Sequence, residues 1–121
     1  MRFRKYHGLG NDYLVLEEGV LTPRRVVEVC HRHTGIGSDG ILEMLPSNEA
    51  DIGLRIWNPD GSIAEKSGNG LRIFARWMVD RMEGPDDLTV ELSCGVVRCQ
   101  VDDDMVTVQM GTASFDSLLL P

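Results

Sequence analysis

The chain has 121 residues, 42% of them hydrophobic, and a formal net charge of -7 at pH 7. That length builds one core and not two, so a single domain over residues 1–121 is expected. The acidic balance, with no Lys or Arg run to offset it, excludes non-specific binding to nucleic acid or an anionic membrane. No stretch reaches the roughly 18 apolar residues of a membrane span. Met1-Arg2-Phe3-Arg4-Lys5 also lacks the apolar core of a signal peptide, so a cytoplasmic protein is expected.

In chain order, Phe3 and Tyr6 suit a first strand, and His7-Gly8-Leu9-Gly10-Asn11-Asp12 reads as a loop in which glycine permits close backbone approach. Tyr13-Leu14-Val15-Leu16 is a buried strand, and Glu17-Glu18-Gly19 turns the chain. Thr22 followed by Pro23 is a helix start, a hydroxyl cap before a residue whose missing N–H is not needed there. The helix is predicted to run to about His33, to bury Val26, Val27 and Cys30, and to stop at Gly35. Thr34-Gly35-Ile36-Gly37-Ser38-Asp39-Gly40 is a further Gly-rich loop. Ile41 to Leu45 is a strand, and Ile52, Leu54 and Ile56 alternate along another.

Asn58-Pro59-Asp60-Gly61 marks a tight turn, and Ser62 to Lys66 suits a short strand. From about Gly70 to Met82 the chain reads as a helix with unusual apolar coverage. Leu71, Phe74, Met78 and Met82 make one stripe, Ile73 and Trp77 widen it, and Arg72, Arg76 and Asp80 are left as the polar side. Such a helix is wrapped by other elements on most sides. Gly84-Pro85-Asp86-Asp87 breaks the chain, Leu88 to Leu92 is a strand, and Val96–Val101 with Met105–Met110 form a hairpin around Asp102-Asp103-Asp104. The fold class is therefore α+β: about six to eight strands in a curved sheet or barrel around one central helix, with a second helix outside.

The chemistry-bearing stretch is Ser67-Gly68-Asn69-Gly70, which runs straight into the central helix. Backbone N–H groups at such an end suit a carboxylate, a phosphate or a developing enolate, although an ordinary core helix with a Gly-rich cap fits the same pattern. Cys30, Cys94 and Cys99 are odd in number, form no CxxC pair and lie among apolar neighbours, so they read as buried thiols. No metal site is expected: His7, His31 and His33 stand in no ligand motif, and His31 and His33 are expected to point apart. His7 reads as a packed, hydrogen-bonded side chain and not as a base.

Four runs carry a resemblance. His7-Gly8-Leu9-Gly10-Asn11-Asp12-Tyr13, His33-Thr34-Gly35-Ile36-Gly37-Ser38-Asp39-Gly40, Arg55-Ile56-Trp57-Asn58-Pro59-Asp60-Gly61-Ser62 and Gly68-Asn69-Gly70-Leu71-Arg72-Ile73-Phe74-Ala75-Arg76 resemble the N-terminal half of diaminopimelate epimerase, in order and at about the family's spacing. The resemblance implies a protein of two homologous halves, each a curved sheet around a helix, with the amino-acid substrate between them. It implies inversion at an α-carbon without pyridoxal phosphate or metal, one cysteine from each half moving the proton, in lysine and cell-wall precursor synthesis. It also implies that Asn11, Asn58, Gly68 and Asn69 hold substrate, the last two through donors at the helix N-terminus.

Two departures from the family pattern stand out. Ser67 occupies the position of the family's catalytic cysteine, and a hydroxyl is a far weaker acid than a thiol unless a base adjoins it. Lys66 is the nearest base in sequence, but neighbours on an extended segment point apart. Nothing resembles the family's C-terminal half, so the chain alone is expected to be inactive and to need that half, another chain or a second copy of itself. A related racemase, dehydratase or isomerase using Ser67 differently, and a non-catalytic half-domain that binds or associates, remain as alternatives. Gly40 stands where the family often carries a longer polar side chain, and Ile73 replaces a second, non-catalytic cysteine.

Overall fold

Strand β2 (Asn11–Glu18) shows how the fold is built. Side chains alternate across a strand, and here the two faces meet two different helices. Val15 joins the core around α2 (Gly68–Met82), whereas Leu14 and Leu16 pack with Leu21, Val26 and Cys30 beneath α1 (Pro23–Cys30). The same parity sends Tyr13 and Glu17 to α2, where they meet Ser67 and Trp77, and sends Asp12 to Arg32 just beyond α1.

The computed structural model describes residues 1–8, 10–65, 67–82, 87–102 and 105–110. Around β2 lie β1 (Arg2–Gly8), β3 (Ile41–Leu45), β4 (Ile52–Trp57), β5 (Ile63–Ala64), β6 (Asp87–Leu92), β7 (Gly95–Asp102) and β8 (Met105–Met110). They form one sheet in the order β1-β2-β3-β4-β6-β7-β8, with β5 also on β4. β2 and β3 run parallel, as do β4 and β6, and the other pairs are antiparallel. Each parallel pair is joined by a crossover holding a helix, as parallel strands require.

The sheet curls until its two ends, β1 and β8, both touch α2. Leu71, Ile73, Phe74, Ala75 and Trp77 of that helix are buried against Leu42, Leu54, Ile56, Leu88, Val90, Val97 and Cys99. Fully burying such side chains stabilises by about 1.5–3 kcal/mol each before chain entropy is counted. Arg72 and Arg76 are half-buried and Asp80 is exposed, as the polar stripe predicts. No helix among the described residues is long and apolar enough to cross a membrane.

Several expectations are corrected. His7, Gly8, Asn11 and Asp12 are not loop: Gly8 pairs with Asn11 and His7 with Asp12, Gly10 has φ 84°, and Leu9 lies outside the described residues. His7 is exposed and not packed. The outer helix ends at Cys30, because His31 turns extended and its Nδ1 accepts the N–H groups of His33 and Thr34. The His31 and His33 rings consequently lie 5.8 Å apart instead of diverging. Val27 is 42% exposed, since the short helix buries a narrow stripe. Cys94 lies exposed in the turn between β6 and β7, while Cys30 and Cys99 are buried. Burial pushes the Cys30 thiol up and the Cys99 thiol up to about 12. The central helix begins at Gly68, two residues before the predicted start. Lys66, the breaker at Gly84 to Asp86, the hairpin turn at Asp103 and Asp104, and the tail from Gly111 lie outside the described residues.

Candidate functional site

The N-terminus of α2 meets the start of β2, and Ser67 forms the joint. Its carbonyl accepts the Leu71 N–H and its Oγ accepts the Gly70 N–H, each at 2.9 Å. Ser67 is thus the helix cap, its side chain replacing the intrahelical acceptor that the third N–H lacks. The N–H groups of Gly68 and Asn69 have no acceptor within the helix by the geometry of its first turn. On the other side, the Tyr13 hydroxyl lies 3.0 Å from Ser67 Oγ.

Beside this cap runs a line of polar side chains. Asn69 Nδ2 donates to Asn11 Oδ1 at 2.6 Å, and Asn11 Nδ2 donates to Asp39 Oδ2 at 3.3 Å. The same Asp39 oxygen accepts the Asp12 N–H at 2.9 Å. Arg32 closes the line: it donates to both Asp12 carboxylate oxygens, at 2.9 and 3.2 Å, and to Asp39 Oδ1 at 2.9 Å. Lys5 Nζ adds a contact to Asp12 at 3.3 Å. The Arg32 guanidinium, helped by Asp39 and Lys5, holds the Asp12 carboxyl well below the usual carboxylate range, and Asp12 in turn raises Arg32. Hydrogen-bonded at both oxygens, Asp12 and Asp39 brace the start of β2.

The line ends in a gap. Asn69 is 8% exposed, and its Oδ1 is the buried side-chain polar atom without a partner among the described residues. An unmet buried acceptor costs about 1–3 kcal/mol, so this one asks for a donor. Two hollows lie beside the polar line, and Asn69 lines only the first. One, of about 380 Å³, is lined by Tyr6, His7, Gly8, Asn69, Arg72, Ile73, Arg76, Met105 and Val106. The other, of about 580 Å³, is lined by His7, Gly8, Gly10, Asn11, Asp12, Arg32 and Asp39. Ser67 lines neither.

Of the predicted site residues, Ser67, Gly68, Asn69 and Asn11 are brought together. Asn58 bonds within its own turn: its N–H reaches the Ser62 carbonyl at 2.8 Å and its Nδ2 reaches Ser62 Oγ at 3.0 Å, closing the Asn-Pro-Asp-Gly turn. Gly40 packs under Tyr13, where a Cβ would come within 2.6 Å of the Trp57 carbonyl and 2.9 Å of the Tyr13 ring. Tyr13 itself was missed from sequence, although its odd position beside Asn11 and Val15 was a usable signal. Arg32 carried no local signal, because its partners are 20 and 7 residues away.

The family model for diaminopimelate epimerase matches residues 3–116. A Nostoc protein named diaminopimelate epimerase 2 is 49% identical over 100% of this chain and 45% of its own length. A diaminopimelate epimerase from Caldanaerobacter subterraneus is 43% identical over 100% of the chain and 47% of its own. The chain therefore spans about half the length of these curated relatives. Among solved structures, a probable proline racemase from Agrobacterium radiobacter superposes with a TM-score of 0.72 at 16% identity, covering 89% of this chain and 41% of that one. A hydroxyproline epimerase from Agrobacterium vitis gives 0.70 at 17%, covering 89% and 40%. At such identities the structural likeness speaks for the fold, a curled mixed sheet around a helix. The sequence matches go further: this chain belongs to the diaminopimelate epimerase family.

Proposed function

We propose that this chain is one half of a cofactor-independent epimerase that interconverts LL- and meso-diaminopimelate by proton transfer at the α-carbon, in lysine and peptidoglycan precursor synthesis in the cytoplasm. The observation that carries the reading is the α2 N-terminus. There the Gly68 and Asn69 N–H groups have no intrahelical acceptor, and the buried Asn69 Oδ1 lacks a donor. An amino acid supplies both complements, a carboxylate for the N–H groups and an ammonium for the acceptor. Gly68, Asn69 and Asn11 bind it, and Ser67 stands at the proton-transfer position. Asn58 shapes the neighbouring rim through its turn.

Inversion needs a proton group on each face of the α-carbon within hydrogen-bond reach. This half furnishes one face, so a complementary half, as a further segment, a separate chain or a second copy, furnishes the other. The test is exchange of the α-proton of diaminopimelate stereoisomers in deuterated water. It uses the chain alone and mixed with a separately supplied C-terminal half, each with and without Ser67→Cys. The expected result is no turnover by the chain alone and inversion by Ser67→Cys with the half. Ser67 with the half should be slower by about a hundredfold or more. Turnover by the Ser67 chain alone would overturn the need for a thiol and a C-terminal half and would point to a cleft assembled from copies of this chain.

A further inference from the structure

Ser67 Oγ has two fixed neighbours, the Gly70 N–H at 2.9 Å and the Tyr13 hydroxyl at 3.0 Å. A hydroxyl has one hydrogen and two lone pairs. If Tyr13 donates, both lone pairs are filled and the Ser67 hydrogen is left for a third partner; if Ser67 donates, its hydrogen is spent. Tyr13 is held in place by three features. Strand parity aims it at α2, Tyr6 stands opposite it on β1, and Gly40 leaves its ring the space a Cβ would take. Among the described residues, Asp12, Asp39, Arg32 and Lys5 close on one another, with Asn11 attached. None of them bonds to the side chain of Tyr13 or Ser67.

We propose that Tyr13 is the positioning residue for proton transfer at position 67, donating to Ser67 Oγ and replacing the proton that Ser67 gives away. This deepens the epimerase reading and rests on it. The proton balance closes. The Ser67 O–H bond breaks as its proton joins the electron pair on the substrate α-carbon. The Tyr13 O–H bond breaks as that proton passes to Ser67 Oγ, and the negative charge comes to rest on the phenolate. Phenols are stronger acids than aliphatic alcohols, so the pair delivers a proton that serine alone holds too tightly. The Gly70 N–H keeps Oγ in place throughout, and solvent returns the proton to Tyr13.

The test needs no turnover. Ser67→Cys puts a thiol among the same donors, and the pH profile of its alkylation, followed on the peptide that contains position 67, reports thiolate stability. A hydrogen bond to the charged form lowers a pKa. Adding Tyr13→Phe is therefore expected to move the alkylation midpoint up by about one pH unit, a tenfold loss of thiolate at a given pH. An unmoved midpoint overturns the proposal. Should Tyr13→Phe disturb the fold, tyrosine labelled at Cζ gives an independent reading by NMR. Ser67→Ala is expected to shift the Cζ resonance of Tyr13 at neutral pH and leave that of Tyr6 unchanged, and an unmoved Tyr13 resonance overturns the proposal. An alkylation shift without α-proton exchange in the mixed halves removes the epimerase reading and keeps the Tyr13–67 coupling. Exchange without an alkylation shift removes Tyr13 alone.

Discussion

β2 and α2 meet at two places, and the two contacts are opposite in character. At one end Asn11 and Tyr13 face Asn69 and Ser67, with glycines on both sides and an acceptor left unmet. At the other end Glu17, its side chain only 8% exposed, accepts the Trp77 indole N–H at 2.8 Å and lies within 3.5 Å of Arg2, Arg4 and Arg81. The Trp77 hydrogen bond, then the arginine charges, pull the Glu17 carboxyl below its ordinary value. The satisfied contact stabilises the fold, and the other holds a buried acceptor with no donor among the described residues. Native proteins leave few such groups unpaired.

The largest effect expected in breaking this contrast comes from Glu17→Ala. It strands the buried Trp77 N–H and leaves three arginines without their shared anion. The loss should be about 2–3 kcal/mol in urea unfolding, with the midpoint and not the slope carrying it. A loss under about 0.5 kcal/mol would mean that the Glu17 contact is as dispensable as an ordinary surface pair.

Gly40→Ala comes next and strikes the other end. Its Cβ would press on the backbone carbonyl of Trp57, which cannot swing away, and on the Tyr13 ring. About 1–3 kcal/mol of overpacking is expected. The displaced ring should also lower the thiolate-stabilising effect of Tyr13 measured in Ser67→Cys. Destabilisation without that second change would show that Gly40 serves Trp57 alone.

Acidification sharpens the comparison further. Glu17 is depressed in the folded state relative to the ordinary value of 4.5, so the unfolded chain binds more protons there. Its contribution is fully present above about pH 4.5 and is lost as pH falls through the lower folded value. Asp12 behaves the same way from 3.8 downward. Glu17→Gln should therefore flatten the pH dependence of unfolding below 4.5, while stability at pH 7 falls. An unchanged slope would assign acid sensitivity to Asp12.

Much of this architecture was legible in local pattern. Period-2 alternation in Ile52–Ile56 and Leu88–Leu92, the near-complete apolar coverage of α2 and the Thr22-Pro23 start all report local physics and all appear in the fold. What was not legible has a common cause. Asn11 and Asp12 read as loop because Asn and Asp favour turns, yet ladder pairing with Gly8 and His7 outweighs that preference. Ser67 was recognisable as a family position but not as a cap. The role of Tyr13 needs a contact 54 residues away, and Arg32 finds Asp12 only once β2 is in place. Cys94 read as buried from its neighbours, but a turn between β6 and β7 carries it to the surface.

The smallest expected change in stability is the most discriminating. Asn69→Leu keeps the shape of the buried side chain and removes both its hydrogen bond to Asn11 and its unmet acceptor. Losing the bond is unfavourable by about 1 kcal/mol, and losing the stranded oxygen is favourable by a similar amount. The two should nearly cancel, leaving a net change within about 1 kcal/mol in the same urea experiment. Asn11 is only half-buried, so water can take up its freed oxygen. The same substitution in the mixed halves should reduce α-proton exchange by tenfold or more, because the ammonium loses its acceptor. Stability that collapses while exchange survives would reverse the contrast, making the α2 N-terminus the structural contact of the pair.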